Sequence, residues 1–173
     1  MSRINYDLTK IKGIAFDIDG VLSPNTVPLS ADGTPNRMVN IKDGYALKLA
    51  VKRGYKLAII SGASGDALRR RFENLNIPHI HLITGQKLPY FQQWMAVENL
   101  RPEEVAFVGD DIPDADCMRV AGLSVAPADA ADDIAEIACY ISPVNGGHGV
   151  ARDLLEQIMR VQGTWPTTAE AFG

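Results

Sequence analysis

The sequence predicts an α/β fold, a Rossmann-like parallel sheet flanked by helices, and three observations carry that prediction. Short apolar runs at 11–16, 55–60, 79–83, 105–108, 124–126 and 140–141 alternate with stretches whose apolar residues recur at helical spacing. Polar clusters follow the first four runs, where strands of an open parallel sheet present their carboxyl ends to a ligand. The length of 173 residues, 46% of them apolar, suits a single hydrophobic core.

Taken in order, the first strand runs into Asp17-Ile18-Asp19-Gly20-Val21-Leu22, which sets two carboxylates two residues apart at a strand end. Segment 23–41 is broken by Pro24, Asn25, Pro28, Gly33, Pro35 and Asn36, and reads as a β-hairpin flap over that end, too short to be a cap domain. A helix over 44–53 follows, with Ala46, Leu47, Ala50 and Val51 on one face and Gly54 as its stop. The second strand ends in Ser61-Gly62, and helix 66–75 carries Arg69, Arg70 and Arg71 about 100° apart. Not all three can face a pocket, and Arg71 is the one assigned to it.

The third strand leads to Gly85-Gln86-Lys87 and a helix over 88–100. His79 and His81 share one face of that strand but have no neighbouring third ligand, so they read as structural. The fourth strand ends in Gly109-Asp110-Asp111, with Asp114 either in the same cluster or capping the helix that holds Met118. Gly146, Gly147 and Gly149 form an anion-binding nest or a flexible turn before a last helix over 150–161. The main domain spans 1–163. Tail 164–173 is frayed or docks on a neighbour, and its Trp165 and Phe172 favour docking.

A net charge of −4 argues against nucleic acid, and no apolar run approaches the ~18 residues of a membrane span. Cys117 and Cys139 lie outside any C-x-x-C pattern and read as buried thiols. With no signal peptide at the start, the expected compartment is the cytoplasm.

A parallel sheet would bring the polar clusters to one edge. The pocket would then hold four or five carboxylates, a hydroxyl and an ammonium, a mixture suited to a hard divalent cation and a phosphate. Mg²⁺ would neutralise the carboxylates and polarise phosphoryl oxygens, leaving Ser61 and Lys87 to hold the rest. A phosphoacceptor switch uses similar parts, but it lacks an acid or base two residues after its nucleophile, which Asp19 supplies here.

The motifs Asp17-Ile18-Asp19-Gly20-Val21-Leu22, Ile60-Ser61-Gly62, Lys87 and Gly109-Asp110-Asp111-Ile112-Pro113-Asp114 resemble the four motifs of haloacid dehalogenase-like phosphatases. The short flap, the arginine run and the ending 145–153 resemble the capless 3-deoxy-manno-octulosonate 8-phosphate phosphatases within that superfamily. The resemblance implies that Asp17 attacks phosphorus and that Asp19 is first acid, then base. It implies Mg²⁺ held by Asp17, the Asp19 carbonyl and Asp110, with Asp111 or Asp114 in support, and Ser61, Gly62, Lys87 and Arg71 on the substrate. It further implies a sugar-phosphate substrate from lipopolysaccharide precursor synthesis, and a homotetramer whose subunits cover one another's sites. Two positions depart from the family's pattern. Ala63 stands where Arg often follows the second-motif glycine, leaving a substrate carboxylate to Arg71, Lys42 or another subunit and keeping nine-carbon keto-sugar phosphates open. His148 stands where Arg or Lys is more usual.

Overall fold

Six parallel strands form one sheet in the order β3-β2-β1-β4-β5-β6 in a computed structural model that describes residues 2–167. They are β1 (Gly13–Phe16), β2 (Lys56–Ser61), β3 (His79–Leu82), β4 (Val105–Val108), β5 (Leu123–Ala126) and β6 (Tyr140–Ile141). Chain order reverses beside β1, which pairs with β2 on one side and β4 on the other. That junction is where an open α/β sheet leaves a crevice beyond its strand ends.

The central strands are buried on both faces, and their side chains alternate between two cores as the pleat requires. Ile14 and Phe16 of β1, with Ala106 and Val108 of β4, pack into one layer with helices α1 (Ile41–Lys52), α2 (Asp66–Glu73) and α6 (Val150–Val161). Ala15, Val105 and Phe107 face the other, with α3 (Leu88–Val97), α4 (Ala115–Val120) and α5 (Asp132–Ile137). Trp94 anchors that second layer at 1% exposure, its ring 5.8 Å from Phe91.

Local chemistry sets the helix ends. Asn40 accepts from the backbone N–H groups of Lys42 and Asp43 at 2.9 and 3.2 Å, so α1 begins at Ile41, three residues before the apolar pattern becomes visible. The pattern hides this first turn because Ile41 is exposed while Asp43 is buried. Asp43 Oδ1 accepts from Arg152 N at 2.7 Å, satisfying an N-terminal donor of the adjacent α6. The six-residue α5 escapes the sequence pattern for want of length.

The flap folds back over 28–36, with Ser30 N donating to Thr34 O at 2.9 Å and Asn36 N to Pro28 O at 2.8 Å. Its pairing amounts to a single bridge, Leu29 to Pro35. Cys117 is buried, and burial pushes its thiol up to about 12. The expectation for Cys139 is corrected: it lies on the exposed turn between α5 and β6, where Ser124 Oγ accepts its backbone N–H at 2.9 Å. His79 Nε2 lies 2.6 Å from Glu98 Oε1, a contact within the fold. Trp165 docks on its own chain, edge-on to Tyr45 at 6.2 Å and under the Arg152 guanidinium at 4.4 Å, while Phe172 lies outside the described residues. No helix among the described residues is long and apolar enough to cross a membrane.

Truncating the anchor of the second layer leaves a cavity beside Phe91 and Phe107. Trp94→Ala is expected to lower unfolding stability by about 3–5 kcal/mol in urea titrations at constant pH.

Candidate active site

Each clustered side chain leaves the end of a strand. Asp17 follows β1, its N–H still bonded to Val108 O at 3.0 Å, and the chain then turns tightly as Leu22 and Ser23 N–H groups both reach Ile18 O at 2.9 Å. Gly20 takes φ +80° in this turn, and a Cβ there would collide with the Asp110 carboxylate. Ser61 closes β2, its Oγ accepting from Ala63 N at 3.2 Å. Asp110 and Asp114 follow β4, where Asp114 Oδ2 accepts from Asp110 N at 3.0 Å and so fixes the loop. Lys87 stands at the foot of α3.

These groups meet in a cavity of about 350 Å³. Asp17, Asp19, Ser61, Gly62, Lys87, Asp110, Asp111 and Asp114 all line it. Lys87 Nζ sits 2.9 Å from Asp17 Oδ1 and 2.6 Å from Asp114 Oδ1, with all three side chains nearly inaccessible to solvent. One oxygen each of Asp17, Asp110 and Asp114 lie within 4.8 Å of one another.

That crowding is visible in the proton affinities. Burial, then the neighbouring charges of Asp17, Asp114 and Asp111, push Asp110 up to about 8. Burial and Asp17 raise Asp114 to about 6 against the pull of Lys87. Burial also works against the Lys87 ammonium, yet Asp17 and Asp114 outweigh it and raise its pKa. One ammonium among so many carboxylates leaves surplus negative charge, and Asp17 Oδ1 is buried without a well-aligned hydrogen bond. The donor set, all hard oxygens, fits a divalent cation.

Of the two acidic residues following Asp110, Asp114 supports the cluster. Asp111 is exposed and caps the next turn, its Oδ1 accepting from Ile112 N at 2.8 Å. Arg71 does not line this cavity. Because α2 buries Leu68 and Phe72, the intervening turn aims Arg71 at α1, where its guanidinium crowds Gly44 in a separate crevice shared with Asp43. The 146–149 loop is neither a free nest nor a loose turn. Gly147 N donates to Val21 O at 2.8 Å, Gly146 N to Asp129 Oδ1 at 2.8 Å, and a Cβ on Gly146 would strike the Gly20 carbonyl. The loop buttresses the Asp19-Gly20 turn.

Arg37 escaped the sequence reading. It reaches from the flap to grip Asp19, Nε to Oδ1 at 2.6 Å and Nη2 to Oδ2 at 2.8 Å. A lone arginine in a loop punctuated by proline and glycine carries no periodic signal.

A model of the haloacid dehalogenase-like hydrolases matches residues 83–154, which include Lys87, Asp110 and Asp114. The 3-deoxy-D-manno-octulosonate 8-phosphate phosphatase KdsC of Escherichia coli K12 is 33% identical over 153 residues, 88% of this chain and 81% of that protein. Its counterpart in Yersinia pestis is 32% identical over 152 residues, with the same coverage of both chains. The chain belongs to this phosphatase family. Its fold superposes on the Moraxella catarrhalis phosphatase, crystallised with magnesium, phosphate and the KDO molecule, with TM-score 0.89, 28% identity and coverage of 96% and 95%. The crystal structure of the Yersinia pestis phosphatase gives TM-score 0.87 at 30% identity, covering 91% of this chain and 85% of that one. The chain is thus a phosphatase of the haloacid dehalogenase type.

The raised Asp110 fixes the sign of a pH effect. Between its ordinary 3.8 and about 8, the folded chain keeps a proton that the unfolded chain has lost. The resulting stabilisation is complete at acid pH and disappears as pH rises towards 8; Asp114 acts in the same direction to about 6. Tm of cation-stripped protein should therefore fall between pH 5.5 and 8. Mg²⁺ should restore more of it at pH 8, each kcal/mol showing as about 2–4 °C. Asp110→Asn should flatten both responses, and an equal Mg²⁺ shift at both pH values in the parent would contradict this account.

Proposed function

We propose that the chain hydrolyses the phosphomonoester of a keto-sugar acid, 3-deoxy-D-manno-octulosonate 8-phosphate, with Mg²⁺ and through a phosphorylated Asp17. The observation that carries this reading is the convergence of Asp17, Lys87, Asp110 and Asp114 in one cavity, on a fold shared with a relative crystallised with magnesium, phosphate and KDO.

Asp17, Asp110 and the Asp19 carbonyl would hold the cation, with Asp114 in support. Bound there, Mg²⁺ would cancel carboxylate charge and polarise the phosphoryl group. The chain's own groups do the rest. Lys87 is locked between Asp17 and Asp114 at the depth of the nucleophile, so its ammonium faces the phosphoryl oxygens as well. The Ser61 hydroxyl and the Gly62 backbone, both in the cavity wall, would offer a second contact for those oxygens. Asp17 attacks phosphorus while the ester oxygen departs with a proton from Asp19. Asp19 then accepts a proton from the water that cleaves the Asp17–phosphate bond, and inorganic phosphate leaves. Asp19 is half exposed, at the mouth above the buried Asp17, in position to serve a leaving group and then a water.

Leu29 and Met38 on the flap and Ile41 at its root are exposed, which supports a neighbouring subunit over this end of the molecule. The same reading makes the assembly a homotetramer and the compartment the cytoplasm. Ala63 in the cavity wall leaves open room that a nine-carbon keto-sugar acid could also use.

The test is release of inorganic phosphate from the octulosonate ester and its nine-carbon relatives, with and without Mg²⁺. Turnover of the octulosonate ester is expected to need Mg²⁺ and to fall by at least about 10³-fold in Asp17→Asn. Preference for a nine-carbon ester would move the substrate assignment, and turnover of none would overturn the reading.

A further inference from the structure

We propose that Arg37 is the specificity residue for an anionic leaving group, exchanging its grip on Asp19 for the substrate's carboxylate and so opening Asp19 to the ester oxygen. The proposal rests on the phosphatase reading above and adds a residue to it.

Three observations carry it. First, the Arg37 fork engages both Asp19 oxygens, at 2.6 and 2.8 Å, a bidentate pairing with fixed geometry. The guanidinium takes one lone pair of each oxygen and holds Asp19 towards the flap, so turning Asp19 to the ester oxygen loosens the fork. Second, the fork sits at the mouth, not on the surface: the Arg37 side chain is 11% exposed and Asp19 46%. The flap is thus tied to the cavity rim by this ion pair, besides the bonds of Asn25 to Asp129 and of Asn40 to Gly147 O, and the arginine is already largely desolvated beside the rim.

Third, charge complementarity singles out Arg37. Lys87, the one cation among the described residues that lines the cavity, is committed to Asp17 and Asp114 at the phosphoryl end. Arg37 is not part of the cavity wall but reaches its rim by gripping Asp19, which does line it. Residue 63 is alanine, Arg71 lies against Gly44 in another crevice, and Lys42 lines an outer hollow with Trp165 and Arg152. A carboxylate on the leaving group would meet the acidic rim of Asp19 and Asp111 unless a cation turned to it. Among this chain's described residues, Arg37 is the guanidinium bonded to the cavity rim, through Asp19, and a carboxylate offers it the same planar, two-oxygen partner that Asp19 does. A neutral leaving group offers no such exchange and leaves the fork closed.

The experiment uses full-length protein with Mg²⁺ and compares kcat/KM for two pairs of esters. One pair is the octulosonate ester against p-nitrophenyl phosphate. The other is 4-carboxyphenyl phosphate against phenyl phosphate, which tests the carboxylate without assuming the natural sugar. Arg37→Met should reduce the preference for the carboxylated ester in each usable pair by about 10- to 100-fold, mainly through KM, and Arg37→Lys should restore part of it. Equal losses on carboxylated and neutral esters would make Arg37 a mere support for Asp19 and overturn the proposal, as would no change on either. If the parent enzyme ignores the octulosonate ester, the substrate reading fails, and the aryl pair alone still decides the role of Arg37. Thermal melts of both variants verify that the fold is intact.

Discussion

Burying Lys87 between two carboxylates is the interaction on which the site depends. An ammonium out of water is expensive alone, and so is each carboxylate; together they are tolerable, and removing one partner of such a buried set typically costs about 3–5 kcal/mol. Asp114 contributes with both oxygens. Oδ1 takes the ammonium at 2.6 Å while Oδ2 holds the Asp110 N–H at 3.0 Å, so one side chain ties the foot of α3 to the loop after β4. The charge that matters for phosphorus is thereby fixed to the same frame as the group that would attack it.

The triad leaves an imbalance, and the imbalance is useful. Asp110 holds its proton to about 8 because burial and three neighbouring carboxyls oppose its charge. A divalent cation relieves that opposition, so the affinity for the metal and the instability without it have one origin. Close backbone approach keeps the cluster tight. Gly20 admits the Asp110 carboxylate where a Cβ would stand, Gly146 packs on the Gly20 carbonyl, and Asp129 holds Gly146 N. The glycine-rich loop thus acts on the site through the turn at residue 20.

What could be read from the sequence followed from periodicity and strand-end logic. The six strands are short runs in a parallel sheet whose four central members are buried, and the polar residues after the first four converge because parallel strands put their carboxyl ends together. Eight of the nine candidate residues line the cavity for that reason. Arg71 lies outside this chain's cavity because the burial of Leu68 and Phe72 turns it towards α1, and a run of arginines on a helix gives no azimuth. Arg37 was invisible because loop residues have no period, and its partner lies 18 positions away. The place of Cys139 and the start of α1 are set by backbone N–H groups donating to the side chains of Ser124 and Asn40, which no pattern of apolar residues encodes.

The spacing of Asp17 and Asp19 separates turnover from storage of a phosphoryl group. Ile18 between them is buried, which puts the two carboxylates on the side of the chain facing the cavity, one at its floor and one at its mouth. A phosphorylated residue at the floor would lie beside a second carboxylate able to activate water, so its lifetime would be short once water entered. The flap arginine bears on that step, since it holds both oxygens of Asp19. A device for keeping a phosphoryl group would exclude such a base; this cavity aims one at the floor and controls it from the flap.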